Sequence, residues 1–470
     1  MRETKTENIM AYSAGVSREQ ESVSLLDRIV SPLVVLVEKY YPDVFVFTIL
    51  LSFLTLALVL GTTAITPVEA LDAWGHSLSS LLAFGSQMAF MVIAAFALAH
   101  TALIQQLLHY IGRVPTTAFR AYVTVVLCAG LFSYICWPLG LIAGAIIARN
   151  VAAGGAERGL KLHYPLLVAS AYGGFVIWHM GYSSSAALFV ATPGNGMEDA
   201  IGGLIPVTET IFSGWNLLIA LVTLTGVAII CACMHPSKNR LIEYTPSPES
   251  PQTESADPAT DRPVAKLENT RVLPLLVAAL IGAYLISWFT RNGFSLTLDV
   301  VNWSLLCAGL LLCNSAKHYI DLITDGARTV GPILLLYPFY AGIMGVMMDS
   351  GLVNTLSDWF ASVATEVTLP FWAFVSAGVV NIFIPSGGAQ WAVQGPVFVE
   401  AAKALEVDIS LVVMGVAYGD QWSNMIQPLP MIPLLAIAGL KLKHIMGYTF
   451  IIFGLCFFIF GGGLLLVASL

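Results

Sequence analysis

Hydrophobic positions gather into eleven long runs, centred on residues 44–65, 82–108, 117–152, 164–191, 212–234, 272–290, 299–314, 329–349, 370–402, 410–438 and 445–468. Runs of this length with almost no charge read as helices that cross a bilayer, which takes about 20 apolar residues each. Two of them, 117–152 and 370–402, are too long for one crossing and carry a Pro-Gly interruption near the middle. The first contains SYICWPLGL, with Pro138 and Gly140; the second contains NIFIPSGGAQW, with Pro385, Gly387 and Gly388. Each predicts a re-entrant helical hairpin, because backbone freed at a break must be buried in protein or face water. The ends of the first open to the cytoplasm and those of the second to the external side. The runs at 164–191 and 410–438 are also broken, at HMGYSSS (179–185) and SNMIQPLP (423–430), and predict discontinuous helices.

Between the runs, residues 236–271 are rich in Pro, Ser, Thr and charge, a composition that buries too little to fold. They predict a disordered cytoplasmic linker between a first membrane repeat, 44–235, and a second, 272–470. Residues 1–43 predict a cytoplasmic tail, with an interfacial helix over 27–42 where Arg28, Glu38 and Lys39 interrupt an apolar face. Basic residues collect on the cytoplasmic side of short loops. With both Pro-Gly breaks as hairpin tips, 19 of the 21 Lys and Arg fall on that side, leaving Arg291 and Lys403 outside. The expected fold is an all-α polytopic protein of the cytoplasmic (inner) membrane, with about nine full spans and two hairpins, an internal N-terminus and an external C-terminus.

The halves repeat. Pro138 and Gly140 match Pro385 and Gly387 at an offset of 247, Ala171-Tyr172-Gly173 matches Ala417-Tyr418-Gly419 at 246, and Thr101-Ala102-Leu103 pairs with Ser350-Gly351-Leu352 at 249. In the charge-derived topology the run at 82–108 passes inward and its counterpart at 329–349 passes outward. Inverted repeats with broken helices are the architecture of secondary transporters, whose site lies near the midplane where the repeats meet.

Composition narrows the function. Of 470 residues 57% are hydrophobic and 11% charged, and the net charge of -8 leaves no basic stripe for nucleic acid. No histidine pair has helical metal-ligand spacing, no glycine-rich phosphate loop occurs, and the cysteines lack base partners, so a membrane-embedded enzyme fits poorly. A channel would need a continuous polar path, which occluding broken helices do not favour.

The breaks carry the candidate chemistry. Half-helix N-termini offer unpaired N–H groups and partial positive charge, which suit a carboxylate. Candidate substrate contacts are Trp137, Pro138 and Gly140 at the first tip, Ser183, Ser184 and Ser185 at the first break, and Asn381, Ser386, Gly387, Gly388 and Trp391 at the second tip. Each serine can equally bond back to its own helix, and Trp137, Trp178, Trp391 and Trp422 either wall a pocket for a short alkyl chain or simply pack. No Lys or Arg stands near midspan, so a co-bound cation is the natural counter-charge. Asn381, Asn424 and Gln427 add oxygens to the freed carbonyls and could ligate sodium, with Asn381 and Asn424 the first candidates. Asp420 is the only acid well inside an apolar run; it suits a proton carrier, a sodium ligand or a cap on the broken helix. His179, its counterpart in the first repeat, is either a buried hydrogen-bonded histidine or part of the coupling machinery.

The runs LLAFGSQMA (81–89), ATPGNGMEDAIGGLIPVTETIFSG (191–214), YPFYAGIMGVM (337–347), IPSGGAQWAVQGP (384–396) and AYGDQWSNMIQP (417–428) resemble the short-chain fatty acid transporter family. The resemblance covers nearly the whole chain outside the tail and linker, and places it in a wider superfamily of carboxylate carriers. It implies uptake of short-chain monocarboxylates such as butyrate or acetoacetate, with an elevator motion of the hairpins; fold analogy adds a homodimer with a fixed scaffold, and cation-coupled symport is expected because an anion entering the cell needs a compensating charge. It also implies site roles for Asn381, Pro385, Ser386, Gly387 and Gly388. Two departures bear on pocket size: the family's first break is richer in glycine than this one, with Met180 and Ser184, and its second carries aromatics where Leu429 and Pro430 stand. The alternatives are a carboxylate exchanger or facilitator, or a dicarboxylate carrier.

Overall fold

Local chemistry marks where each helix starts. In a computed structural model, which describes residues 44–236, 241–245, 263–293, 295–328, 330–382 and 384–470, the chain opens with α1 (Val44–Thr62) and α2 (Pro67–Ser77). Thr66 caps α2 in a reciprocal capping box with Glu69. Then follow α3 (Leu82–Ala99), the amphipathic α4 (Ala102–Arg113), α5 (Ala118–Ile135), α6 (Trp137–Glu157), α7 (Tyr164–Phe175), α8 (Ser185–Ala191), the short α9 (Glu198–Ile201) and α10 (Gly214–Cys233). Thr117 and Ser213 cap α5 and α10 through their hydroxyls. After the linker come α11 (Pro263–Glu268), α12 (Val272–Asn292), α13 (Leu298–Leu312), α14 (Ala316–Ala327), α15 (Gly331–Asp349), α16 (Leu352–Val363), α17 (Leu369–Val380), α18 (Gly387–Ala404), α19 (Ile409–Ser423), α20 (Pro428–Ala438) and α21 (Met446–Ala468). No strand occurs among the described residues.

The repeat read from three short matches extends to whole elements. The order α3, α4, α5–α6, broken α7/α8, α10 recurs as α15, α16, α17–α18, broken α19/α20, α21. Both long runs fold back on themselves. Against α5, Gly140 of α6 meets Ser133 with no room for a side chain and Gly144 meets Ala129 closely, an antiparallel pairing. In the second hairpin Gln390 donates to the Ala377 carbonyl (2.6 Å) and Gln394 to Ser376 Oγ (2.9 Å). Both breaks after the hairpins are also present: a single 3-10 turn, Trp178–Met180, separates α7 from α8, and another, Asn424–Ile426, separates α19 from α20. Six described helices are long and apolar enough to cross a bilayer, and five more are apolar but shorter.

Helices α3 and α15, each just before the amphipathic helix of its half, pack on the other half. α15 rests on α1 and α2, with Gly342 against the Trp74 indole, while α3 rests on α13 and α14, with Gly326 against Phe96. α3 and α15 meet each other where Gly85 faces the Tyr337 ring. Both then reach the hairpins, which pack with α7, α8, α10 and α19–α21 into one buried core.

The predicted tail and interfacial helix lie outside the described residues, as does most of the linker. The expectation of disorder across 236–271 fails at two places. α11 is helical, and residues 241–245 dock on the loop before α7. There the Ile242 N–H donates to His163 Nδ1 (3.0 Å), the Tyr164 N–H donates to the Ile242 carbonyl (2.8 Å), and Lys161 pairs with Glu243 (2.7 Å). Burial, with His235 nearby, pushes His163 down to about 4, so it is neutral at pH 7 and can accept. Composition averaged over the linker hides these few anchoring residues.

Candidate functional site

Three breaks meet at one point. Gly387, the first residue of α18 at the second hairpin's tip, lies so close to the first break and to α19 that a β-carbon on it would collide with His179 Cε1 and stand 2.5 Å from Asp420 Oδ2 and 2.7 Å from Ser185 Oγ. Only glycine lets the tip approach this closely. His179 and Asp420 are both buried, and the His179 Nδ1 to Asp420 Oδ2 distance is 3.0 Å, close but not aligned as a hydrogen bond. The other ring nitrogen decides the tautomer. The Ala186 N–H can only donate, and it lies 3.1 Å from His179 Nε2; Ser185 Oγ is 3.2 Å from the same atom. Nε2 therefore accepts, and the ring proton sits on Nδ1, facing Asp420. His179 thus supplies the acceptor that the start of α8 needs, since Ser184 at its N-cap makes no side-chain cap.

Asp420 is the hub of the second break. Its Oδ1 accepts from Asn424 Nδ2 (3.2 Å), and its main-chain carbonyl accepts from Asn381 Nδ2 (2.9 Å), which also donates to Ser423 Oγ (2.8 Å). Gln427 Nε2 donates to the Asn381 carbonyl (2.7 Å). The amides of Asn381 and Gln427 are thus oriented by their N–H groups, and their oxygens point elsewhere. Buried Asn381 Oδ1, Gln427 Oε1 and Asp420 Oδ2 have no hydrogen-bond partner. Buried amide oxygens without a partner cost free energy unless a cation or donor satisfies them.

The candidates of the first tip form a separate group. Ser183 Oγ accepts the Trp137 N–H (2.9 Å), tying tip to break, and Gly140 is spent on packing against Ser133. Pro138 occupies the first turn of α6, where its missing N–H is harmless. This group reaches the centre through aromatic rings: Trp137 meets Trp178 at a tilt, 6.2 Å away, and Trp178 stacks on His179 at 4.2 Å. Ser184 is buried with an unpartnered hydroxyl. Ser386 is partly exposed at the second tip, with Gly388 beside it, and Trp391 is wholly buried one turn further along α18. Trp422 stacks on Phe453 at 4.2 Å and donates to its carbonyl, a packing role.

Several residues of the site escape a search for breaks and charges. Gln421 Oε1 accepts the His179 N–H (3.0 Å), and Tyr172 OH donates to the Asn424 carbonyl (2.7 Å). Asn216 donates to the carbonyls of Met180 and Ile211 and accepts from Tyr418 OH, satisfying backbone that the first break leaves open. Their signal was present: an amide inside an apolar run is costly enough to demand a partner.

Residues 25–467 match the family model described as Short chain fatty acid transporter. Two curated relatives carry that name provisionally. One, from Escherichia coli (strain K12), is 38% identical over 429 residues, spanning 90% of this chain and 96% of its own. The other, from Haemophilus influenzae, is 36% identical over 452 residues, spanning 93% and 99%. Among solved structures the Alcanivorax borkumensis YdaH transporter superposes with a TM-score of 0.60 at 14% identity, covering 91% of this chain and 98% of that one. Neisseria gonorrhoeae MtrF, of a class described as antimetabolite efflux pumps, superposes at 0.51 with 12% identity, over 94% and 97%. These two similarities bear on the fold alone.

Proposed function

The chain belongs to the short-chain fatty acid transporter family, a family of membrane transporters rather than enzymes, and from that premise we propose that it imports short monocarboxylates together with a cation by alternating access. The observation that carries the proposal is the convergence of Gly387, His179, Ser185 and Asp420, where both halves of the repeat supply the site. The carboxylate binds at the start of α18, where Ser386 leaves the first N–H groups without a side-chain cap. An anion entering a cell climbs about 2.3 kcal/mol per 100 mV of inside-negative potential, so accumulation needs a co-transported positive charge. The unpartnered amide oxygens of Asn381 and Gln427 favour sodium over a proton.

Proteoliposome uptake of butyrate and acetoacetate under separately imposed sodium and proton gradients tests this. Accumulation is expected to follow the sodium gradient; a response to protons alone would reassign the ion, and indifference to both would leave exchange or facilitated diffusion.

The topology proposed with it has nine spans, two re-entrant hairpins and repeats of opposite orientation, supported by the 19 to 2 split of basic residues. In the elevator form of the mechanism the hairpins and broken helices move against α1–α3 and α12–α15 within a homodimer. Cysteines at exposed Glu157, after the first hairpin, and at exposed Ser362, near the end of α16, are expected to react with impermeant thiol reagents from opposite sides of the membrane. Labelling from the same side would remove the inverted arrangement.

A further inference from the structure

The second hairpin's tip has two unlike faces. Gly387 turns to the polar group of His179, Ser185 and Asp420, whereas the next residue, Gly388, turns to aromatic rings. A β-carbon on Gly388 would stand 2.5 Å from Phe84 Cε1 and 3.2 Å from the Tyr337 hydroxyl. The Phe84 ring meets Phe189 edge-on at 5.0 Å and Tyr337 at 5.6 Å, so α3, α8 and α15 each bring one buried ring to the same spot. Tyr337 OH also lies 3.4 Å from Ser386 Oγ, which places a pair of hydroxyls where the polar and aromatic faces join. Pro385 and Ser386, at this junction, are partly exposed on the surface of the chain.

A short fatty acid has the same two-part character. We propose that Phe84, backed by Phe189 and Tyr337, sets the length of the alkyl chain the protein accepts, while the tip's hydroxyl and N–H groups hold the carboxylate. The inference rests on the reading that the chain carries short monocarboxylates bound at the second tip. An apolar wall discriminates by volume, with one methylene changing selectivity about tenfold or more.

The test is initial uptake of acetate, butyrate and hexanoate, at concentrations well below saturation, by the full-length protein in proteoliposomes. Phe84→Ala is expected to raise the hexanoate to butyrate ratio about tenfold or more, and Phe84→Leu in the same direction by less. Gly388→Ala, whose new methyl group would fill the space between the tip and the Phe84 ring, should lower the ratio; adding Phe84→Ala should restore it. A ratio unchanged in Phe84 variants that still carry butyrate would overturn the proposal. So would a parallel loss of all three substrates in both Phe84 variants, because that marks a packing role. Failure of the wild type to carry any of the three rejects the functional reading instead.

Discussion

Asp420→Asn is expected to leave the protein folded and able to exchange substrate across the membrane, but unable to accumulate it. Asparagine keeps the shape of the carboxyl group: its side-chain oxygen can still face His179 Nδ1, while its NH2 replaces Oδ1 and is met by a flipped Asn424 amide. The tie between the two breaks, 3.0 Å in the native pair, survives in form. What disappears is the carboxylate's charge at the second break, the acidic group of the proposed site. A hydrogen bond or contact to a charged group contributes about 1.5–3 kcal/mol, so apparent sodium affinity should fall roughly tenfold to a hundredfold. The measurement is the sodium dependence of butyrate uptake alongside butyrate counterflow in the same vesicles. Unaltered sodium affinity with full accumulation would take Asp420 out of the coupling step. Asp420→Ala serves as the contrast: it removes the oxygen that stands 3.0 Å from His179 Nδ1 and the acceptor of the Asn424 amide, leaves a void beside them, and should lower thermal stability where Asn does not.

The elements were legible from sequence because lipid leaves few choices. Backbone at a break in an apolar run cannot be left to hydrocarbon, so Pro138, Gly140, Pro385, Gly387 and the polar stretches at 179–185 and 423–430 marked the interruptions, and helices do stop and restart there. Pairing between distant residues was less legible. The sequence made His179 and Asp420, 241 positions apart, only counterparts in the two halves; that they face each other is set by tertiary packing. Serines that looked alike separate by partner: Ser183 caps the first tip, Ser185 touches His179, and Ser184 bonds to neither. Phe84 and Tyr337 were invisible as site residues because an aromatic in an apolar helix carries no periodicity or charge signal. Their role comes from α3 and α15 crossing over the tip, a relation set by tertiary packing between the two halves.

Gly387→Ala should be the most damaging single methyl group in the molecule for transport while leaving most of the fold intact. The added carbon would land on His179 Cε1, Asp420 Oδ2 and Ser185 Oγ together, and none of the three can retreat freely. His179 is held by the Ala186 N–H and by stacking on Trp178, Asp420 by Asn424, and Ser185 by its place in the first turn of α8. The tip must then withdraw from the breaks, which separates the start of α18 from the polar group that completes the site. Overpacking of a closed core costs about 1–3 kcal/mol, and here that cost falls on the substrate-binding geometry, so butyrate affinity should drop roughly tenfold to a hundredfold. Gly351→Ala tests whether any new methyl group has this effect: nothing lies within 4 Å of its β-carbon position, although its φ of 76° adds local strain. Measured as butyrate affinity and melting temperature, Gly387→Ala should lose affinity far out of proportion to its change in stability, and Gly351→Ala should do the reverse. Native butyrate affinity in Gly387→Ala would mean that the tip does not close against His179 and Asp420 during transport.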